Sequence, residues 1–164
     1  MKRFLVFFSA VVLFSSCSKK GMDKCNYDAC AIAAPTSEVT QLEAYLSSAG
    51  ITTAIKHCSG MYYIIDAAGS GASATSCSTV GVTYKGQLTN GTVFDQGTTS
   101  FQLDQVIAAW TKGVPLIKAG GKIKLYCPPS LAYGSQVIRD NVTGNTVIPA
   151  NSILIFEVEL TNVY

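Results

Sequence analysis

Residues 82–95, VTYKGQLTNGTVFD, decide the fold. Val82, Tyr84, Gly86 and Leu88 alternate with Thr83, Lys85 and Gln87, which is the period of two of a strand with one buried face and one wet face. Thr89, Asn90 and Gly91 then supply a tight hairpin turn. Near the C-terminus Leu154, Phe156, Val158 and Leu160 alternate with Ile153, Ile155, Glu157 and Glu159, giving a second strand of the same kind. Residues 61–65 and 123–127 read as two more. In the stretch between, Asp104 can cap a short helix in which Val106, Ile107 and Trp110 share a face before Gly113 ends it. The expected architecture is α+β, a curved antiparallel sheet in the form of a half-barrel wrapped around that one short helix.

Outward from this region, residues 36–50 change to helical spacing. Thr36 or Ser37 can cap the start, Val39, Leu42 and Leu46 recur on one side, and Gly50 is a natural stop. The expectation is one extra N-terminal helix packed on the sheet or on the tether, too short for a domain. Residues 135–146 are polar and contain Gly and Asn, which suggests a loop.

With 164 residues the chain can build one ordinary core. Charged residues make up 13%, about half the usual share, so the surface is polar mainly through Ser, Thr, Asn and Gly. The net charge of +2 rests on Lys2 and Arg3 alone, since the remaining ten basic residues match the ten acidic ones. Without a basic stripe, nucleic acid is not an expected partner.

The first residues have a purpose of their own. Lys2 and Arg3 precede an apolar run over residues 4–14, and Ser15, Ser16 and Cys17 follow, as in an export signal. The run is too short to span a bilayer permanently. Residues 13–17, LFSSC, resemble a bacterial lipobox, in which Cys17 would be cleaved to the N-terminus and acylated. Several acyl chains at about 0.8 kcal/mol per buried methylene would hold the protein on a membrane through this N-terminal lipid. The expected segmentation is residues 1–16 signal peptide, 17–35 lipid-anchored tether, 36–60 helix and connector, and 61–164 the functional domain.

Five further cysteines fit an oxidising space. Cys25 and Cys30 are near enough in sequence to close a small loop, and Cys58 and Cys77, each preceding a strand, could clamp two neighbouring segments. Spacing alone does not fix connectivity, and this pairing is the expectation. Cys127, in an apolar strand, is expected to be a buried free thiol. One histidine, His57, and no CxxC pair argue against a zinc site, so neither metal nor cofactor is expected.

Four strings in series, VTYKGQLTNGTVFD, SFQLDQVIAAWTKGV, PPSLAYG and VIPANSILIFEVEL, resemble the FKBP-type peptidyl-prolyl isomerases, the macrolide-binding immunophilins, over residues 61–164. The resemblance implies that Trp110 forms a pocket floor for a proline ring, with Tyr84, Phe94, Phe101, Val106, Ile107 and Phe156 as walls. It further implies that the Ile107 N–H and the Tyr133 hydroxyl hold substrate carbonyls, that Ile148 lies on the rim, and that Asp95 is a carboxylate at the pocket edge. Phe94, Asp95, Trp110 and Tyr133 are thus the candidate catalytic residues. Expected ligands are proline-containing polypeptides and macrolide inhibitors, and the expected state is a monomer in the cell envelope, assisting the folding of exported proteins.

Such a reaction needs no nucleophile. Rotation about an X-Pro amide meets a barrier of about 18–20 kcal/mol because it destroys amide resonance, and no bond has to break. The twisted amide is less polar than the planar one, so a dry aromatic pocket favours it. A pocket that captured chains without turning them over would make the protein a non-catalytic holdase instead.

Overall fold

The computed structural model of the protein describes residues 25–164. The expected export signal, the expected lipidation site at Cys17 and the first part of the expected tether lie outside the described residues. The elements are α1 (Thr36–Ser48), β1 (Ile55–Lys56), β2 (Tyr62–Ala67), β3 (Thr79–Leu88), β4 (Val93–Gln102), α2 (Ala108–Gly113), β5 (Gly121–Cys127), β6 (Ile138–Arg139), β7 (Thr146–Ile148) and β8 (Leu154–Val163). Six strands form one sheet in the order β1-β2-β5-β8-β3-β4, with every neighbouring pair antiparallel.

The alternation seen in the sequence becomes two opposite faces. Val82, Ile123, Leu125, Leu154, Phe156, Val158 and Leu160 point into one core with Trp110 and Val114. Tyr126 and Ile155 point the other way and meet Leu42 and Leu46 of α1 in a second, smaller core. Helix α2 therefore sits on one side of the sheet and α1 on the other. Gly113 permits the close approach of α2 to β5, because a Cβ there would lie 2.6 Å from a Leu125 methyl.

Helix α1 starts without the expected side-chain cap. Pro35 occupies the cap position, with its ring pre-set for a helix start, and the Thr40 hydroxyl instead donates to the Thr36 carbonyl at 3.0 Å. Gly50, at φ +68°, ends the helix as the sequence indicates, and the Ile51 N–H reaches back to the Leu46 carbonyl. Glu38 of α1 accepts the Ser130 N–H at 2.8 Å, so this helix also anchors the Pro-rich turn that leads to Tyr133.

Three further expectations are corrected. The inner helix begins at Ala108, not at Asp104: Leu103–Gln105 is a separate 3-10 turn, and Val106 and Ile107 are extended before the helix starts. Residues 135–146 are not merely a loop, because β6 pairs with β7 in a small hairpin whose turn is held by Asp140, which accepts the N–H groups of Val142 and Thr143.

The third correction is the disulfide pairing, which is Cys25–Cys77 and Cys30–Cys58, one bridge nested inside the other. The physical reason is that the segment after Cys25 lies across the body of the domain, with the Ala34 N–H donating to the Ser59 carbonyl at 2.8 Å, so each cysteine faces a distant partner. Pairing Cys25 with Cys30 would staple the segment only to itself. The observed bridges close loops with sequence separations of 52 and 28, and either one is worth about 4 kcal/mol by loop-closure entropy. Cys127 is a buried free thiol as expected, and burial pushes its pKa up.

Candidate functional site

Strand β4 looks featureless in sequence, VFDQGTTSFQ, yet it builds one wall of the site. Its register with β3 slips between Gly86, paired with Asp95, and Gln87, paired with Val93, so Phe94 is the extra residue of a β-bulge. A bulge re-aims side chains locally. Here the ring of Phe94 lies directly over Gly86, where an added Cβ would meet two ring carbons at 2.6 Å. Asp95 is consequently presented beside Tyr84, whose hydroxyl donates to its carboxylate at 2.6 Å.

That hydrogen bond, then burial and the charge of Asp95, hold the Tyr84 phenol neutral, its pKa pushed up to about 12. The Tyr133 hydroxyl is shifted the same way, by burial first and then by Asp95. Both phenols remain proton donors throughout the physiological range. Tyr133 is delivered by the 3-10 turn Pro129–Leu131 and by Gly134, whose φ of +59° turns the chain back so that its N–H reaches the Pro129 carbonyl.

Opposite β4, the Thr111 hydroxyl donates to the Leu103 carbonyl at 2.6 Å and locks α2 against the preceding 3-10 turn. The extended Val106–Ile107 step precedes the helix, and the Ile107 N–H donates to no other group among the described residues. Trp110 lies at the centre of an aromatic cluster. Its ring meets Tyr84 edge-on at 5.2 Å, Phe101 at 5.1 Å and Phe156 edge-on at 5.3 Å, arrangements favoured by the ring quadrupoles.

These residues enclose a cavity of about 530 Å³ lined by Tyr84, Asp95, Thr99, Phe101, Gln105, Val106, Ile107, Trp110 and Tyr133. Concave, largely apolar and carrying a few convergent polar groups, it is the kind of cleft that holds a ligand. Seven of the residues singled out from the sequence line it, and three do not. Phe156, 3% exposed, packs behind Trp110, and Phe94 packs edge-on against Phe156 at 5.6 Å, so both back the lining. Ile148, also 3% exposed, lies in the main core. Thr99 and Gln105 were missed. Strand periodicity from Asp95 and Phe101 would have found Thr99, had β4 been recognised as a strand.

A second depression, of about 380 Å³, lies on the other face of the sheet and includes Asp66, Lys85, Gln96, Lys122, Glu157 and Glu159. Four of its charges already satisfy one another, with Lys85–Glu157 at 2.8 Å and Lys122–Glu159 at 3.2 Å, and Trp110, the centre of the ring cluster, is not part of it. It offers a ligand little that water does not. No cluster of His, Cys, Asp and Glu suited to a metal ion occurs among the described residues.

The comparisons with known proteins agree on one family. The profile of the FKBP-type peptidyl-prolyl cis-trans isomerases matches residues 71–161. A probable FKBP-type peptidyl-prolyl cis-trans isomerase from Haemophilus influenzae is 46% identical over 110 residues, 64% of this chain and 43% of that protein. The chain thus spans less than half the length of that relative. Among solved structures, FkpA from Escherichia coli superposes with a TM-score of 0.64 at 38% identity, covering 77% of this chain and 59% of that one. A peptidyl-prolyl cis-trans isomerase from Pseudomonas syringae pv. tomato gives 0.66 at 28% identity, covering 79% and 96%.

Proposed function

Since the chain belongs to the FKBP-type peptidyl-prolyl cis-trans isomerase family, we propose that it catalyses cis/trans exchange of X-Pro bonds in polypeptides. The observation that carries this proposal is the cavity over Trp110, where an apolar floor is bordered by an Asp95–Tyr84 pair, the Tyr133 hydroxyl and the Ile107 N–H, which has no partner among the described residues. A proline ring seated on the indole leaves water. The carbonyl before it, turning out of conjugation, loses charge separation and is favoured by the dry walls of Tyr84, Phe101, Val106 and Ile107. The Ile107 N–H and the Tyr133 hydroxyl hold flanking carbonyls, while Asp95, fixed by Tyr84, sets the field at the edge where the amide rotates. Phe94 and Phe156 support the lining from behind.

Tenfold acceleration requires only about 1.4 kcal/mol of preference for the twisted amide. Exchange spectroscopy of a Phe-Pro peptide measures this directly. The wild-type protein should accelerate exchange, and Tyr133→Ala should lower kcat/KM at least tenfold while the domain stays folded. A macrolide that presents a proline-like ring should compete with the peptide. A protein that binds the peptide without accelerating exchange is a holdase, and the catalytic assignment falls.

The working location is the cell envelope. Two disulfides among the described residues suit an oxidising compartment, and the leader with Cys17 supplies both export and a lipid anchor. Exported polypeptides awaiting prolyl isomerisation are the substrates, and the protein acts as a monomer whose domain spans residues 61–164, tethered through the residues that precede Cys25, because from Cys25 onward the segment is bridged to the domain itself. Cys17→Ser should move it out of the membrane fraction and abolish labelling by fatty-acid analogues. Unchanged labelling would remove the anchor from this account.

A further inference from the structure

Lys112 is 2% exposed, although lysine is almost never fully buried unless something receives its charge. It belongs to α2, two residues beyond Trp110, and no carboxylate among the described residues pairs with it. Its Nζ donates to the Ala29 carbonyl at 2.6 Å and stands 5.2 Å from the centre of the Tyr27 ring. A carbonyl and an aromatic face are what a desolvated ammonium needs where no counter-charge is at hand. Both belong to one short strap, residues 25–30.

The strap is fastened at its two ends. Cys25 bridges to Cys77 and Cys30 to Cys58, so the disulfides bracket the two residues that hold Lys112. Ser76, beside Cys77, donates its hydroxyl to the Thr111 carbonyl at 3.1 Å, a second tie between the bridged segment and the same helix. With six residues, α2 has too little length to hold its own place, because so short a helix depends on contacts from outside. Its pocket side carries the floor of the cavity, and its outer side is tied to the strap.

We propose that Lys112 is a positioning residue for prolyl isomerisation, and that the disulfide-fastened strap of residues 25–30 fixes the pocket floor by holding its ammonium. The inference rests on the isomerase assignment above. Lys112 touches no substrate. It sets the lateral position of α2, and with it the indole of Trp110 and the Ile107 N–H at the helix start. Loosening the strap therefore blurs the geometry on which the twisted amide depends while leaving apolar contact area for ground-state binding, so the effect falls on kcat more than on KM.

The experiment uses the full chain with both bridges intact and compares Lys112→Met, Tyr27→Ala, Tyr27→Phe and the double variant Lys112→Met/Tyr27→Ala. Lys112→Met keeps the length of the stem and removes the charge. Trp110 is the only tryptophan of the chain, so its fluorescence reports on the pocket floor alone. Lys112→Met and Tyr27→Ala should each lower kcat for a Phe-Pro peptide at least threefold with KM within twofold, and should change Trp110 emission. Tyr27→Phe, which keeps the ring face, should stay within twofold of wild type. The double variant should be no worse than the poorer single variant, because both remove one tie.

Lys112→Met with wild-type kcat and unaltered emission overturns the proposal, as does a Tyr27→Phe loss equal to that of Tyr27→Ala. Should Lys112→Met not fold, the Tyr27 pair decides. Should wild type itself not accelerate exchange, the isomerase assignment fails separately, and Trp110 emission still tells whether the strap holds the floor.

Discussion

Replacing Gly86 by alanine puts a methyl carbon 2.6 Å from two ring carbons of Phe94 and 3.0 Å from Phe156. Carbon atoms pack at about 3.5–4.0 Å, so the overlap with Phe94 is about 1 Å and must be relieved by moving the ring or the strand. Overpacking of this kind costs about 1–3 kcal/mol. For a domain of this size that lowers Tm by roughly 3–12 °C, readable by calorimetry. Phe94 is the bulged residue next to Asp95, so the shift carries the carboxylate with it. A displacement of 1 Å in a positioned group can cost up to about a hundredfold in rate, and Gly86→Ala should lose at least about tenfold in kcat/KM. Gly97→Ala is the control: it sits in the same strand pair, but its Cβ would meet nothing within 4 Å, and stability should stay within about 0.5 kcal/mol. Phe94→Leu removes the two clashing carbons, so adding Gly86→Ala to it should cost at least about 1 kcal/mol less than adding it to wild type. Equal costs in the two backgrounds, or a Gly86→Ala protein that melts and turns over like wild type, would refute the placement of Phe94 over Gly86.

Three other outcomes are expected. Non-reducing peptide mapping by mass spectrometry should find Cys25 joined to Cys77 and Cys30 to Cys58; a Cys25–Cys30 peptide would contradict the nested arrangement. Tyr84→Phe deletes the hydrogen bond to Asp95 at the cavity edge, and kcat/KM should fall about threefold to tenfold, about 0.7–1.4 kcal/mol, with an unchanged rate disproving its part in holding the carboxylate. Burial and then the charge of Lys112 lower the pKa of His57 below its ordinary 6.5, so the unfolded chain binds the proton more readily than the folded one. The stability associated with a neutral His57 is therefore whole above pH 6.5 and is lost as pH falls from there through the folded pKa, a decline in urea midpoint that His57→Asn should flatten.

Sequence and structure agree where the physics is local. The β3 alternation, the Gly91 turn and the β8 alternation follow from a period of two and from the freedom of glycine at positive φ, and neither needs knowledge of the rest of the chain. The pocket set was legible through resemblance, since Tyr84, Asp95, Phe101, Val106, Ile107, Trp110 and Tyr133 recur in a recognisable order and converge on one cavity. What stayed hidden depends on distant contacts. Strand β4 is an edge strand exposed along most of its length, so no apolar alternation marks it, and Thr99 went unnoticed with it. The disulfide partners lie 52 and 28 residues apart and are set by how the strap crosses the domain. Lys112 looks like any solvated lysine until the strap is in place, because its burial comes from residues more than 80 positions earlier.

Cys127 gives this domain a clock. Its thiol sits inside the main core on β5, with no exposed surface and its ionisation suppressed by burial, so neither alkylating reagents nor the two bridges can reach it while the sheet is closed. The rate at which Cys127 becomes labelled under native conditions is then the rate, or the equilibrium fraction, of opening of the sheet itself. The same seclusion keeps the odd sulfur from exchanging with the strap bridges during the working life of the protein. Scrambling of the disulfides through Cys127 therefore needs the core around β5 to open first, and a chain found with Cys127 in a bridge is one whose sheet was open when that bridge formed.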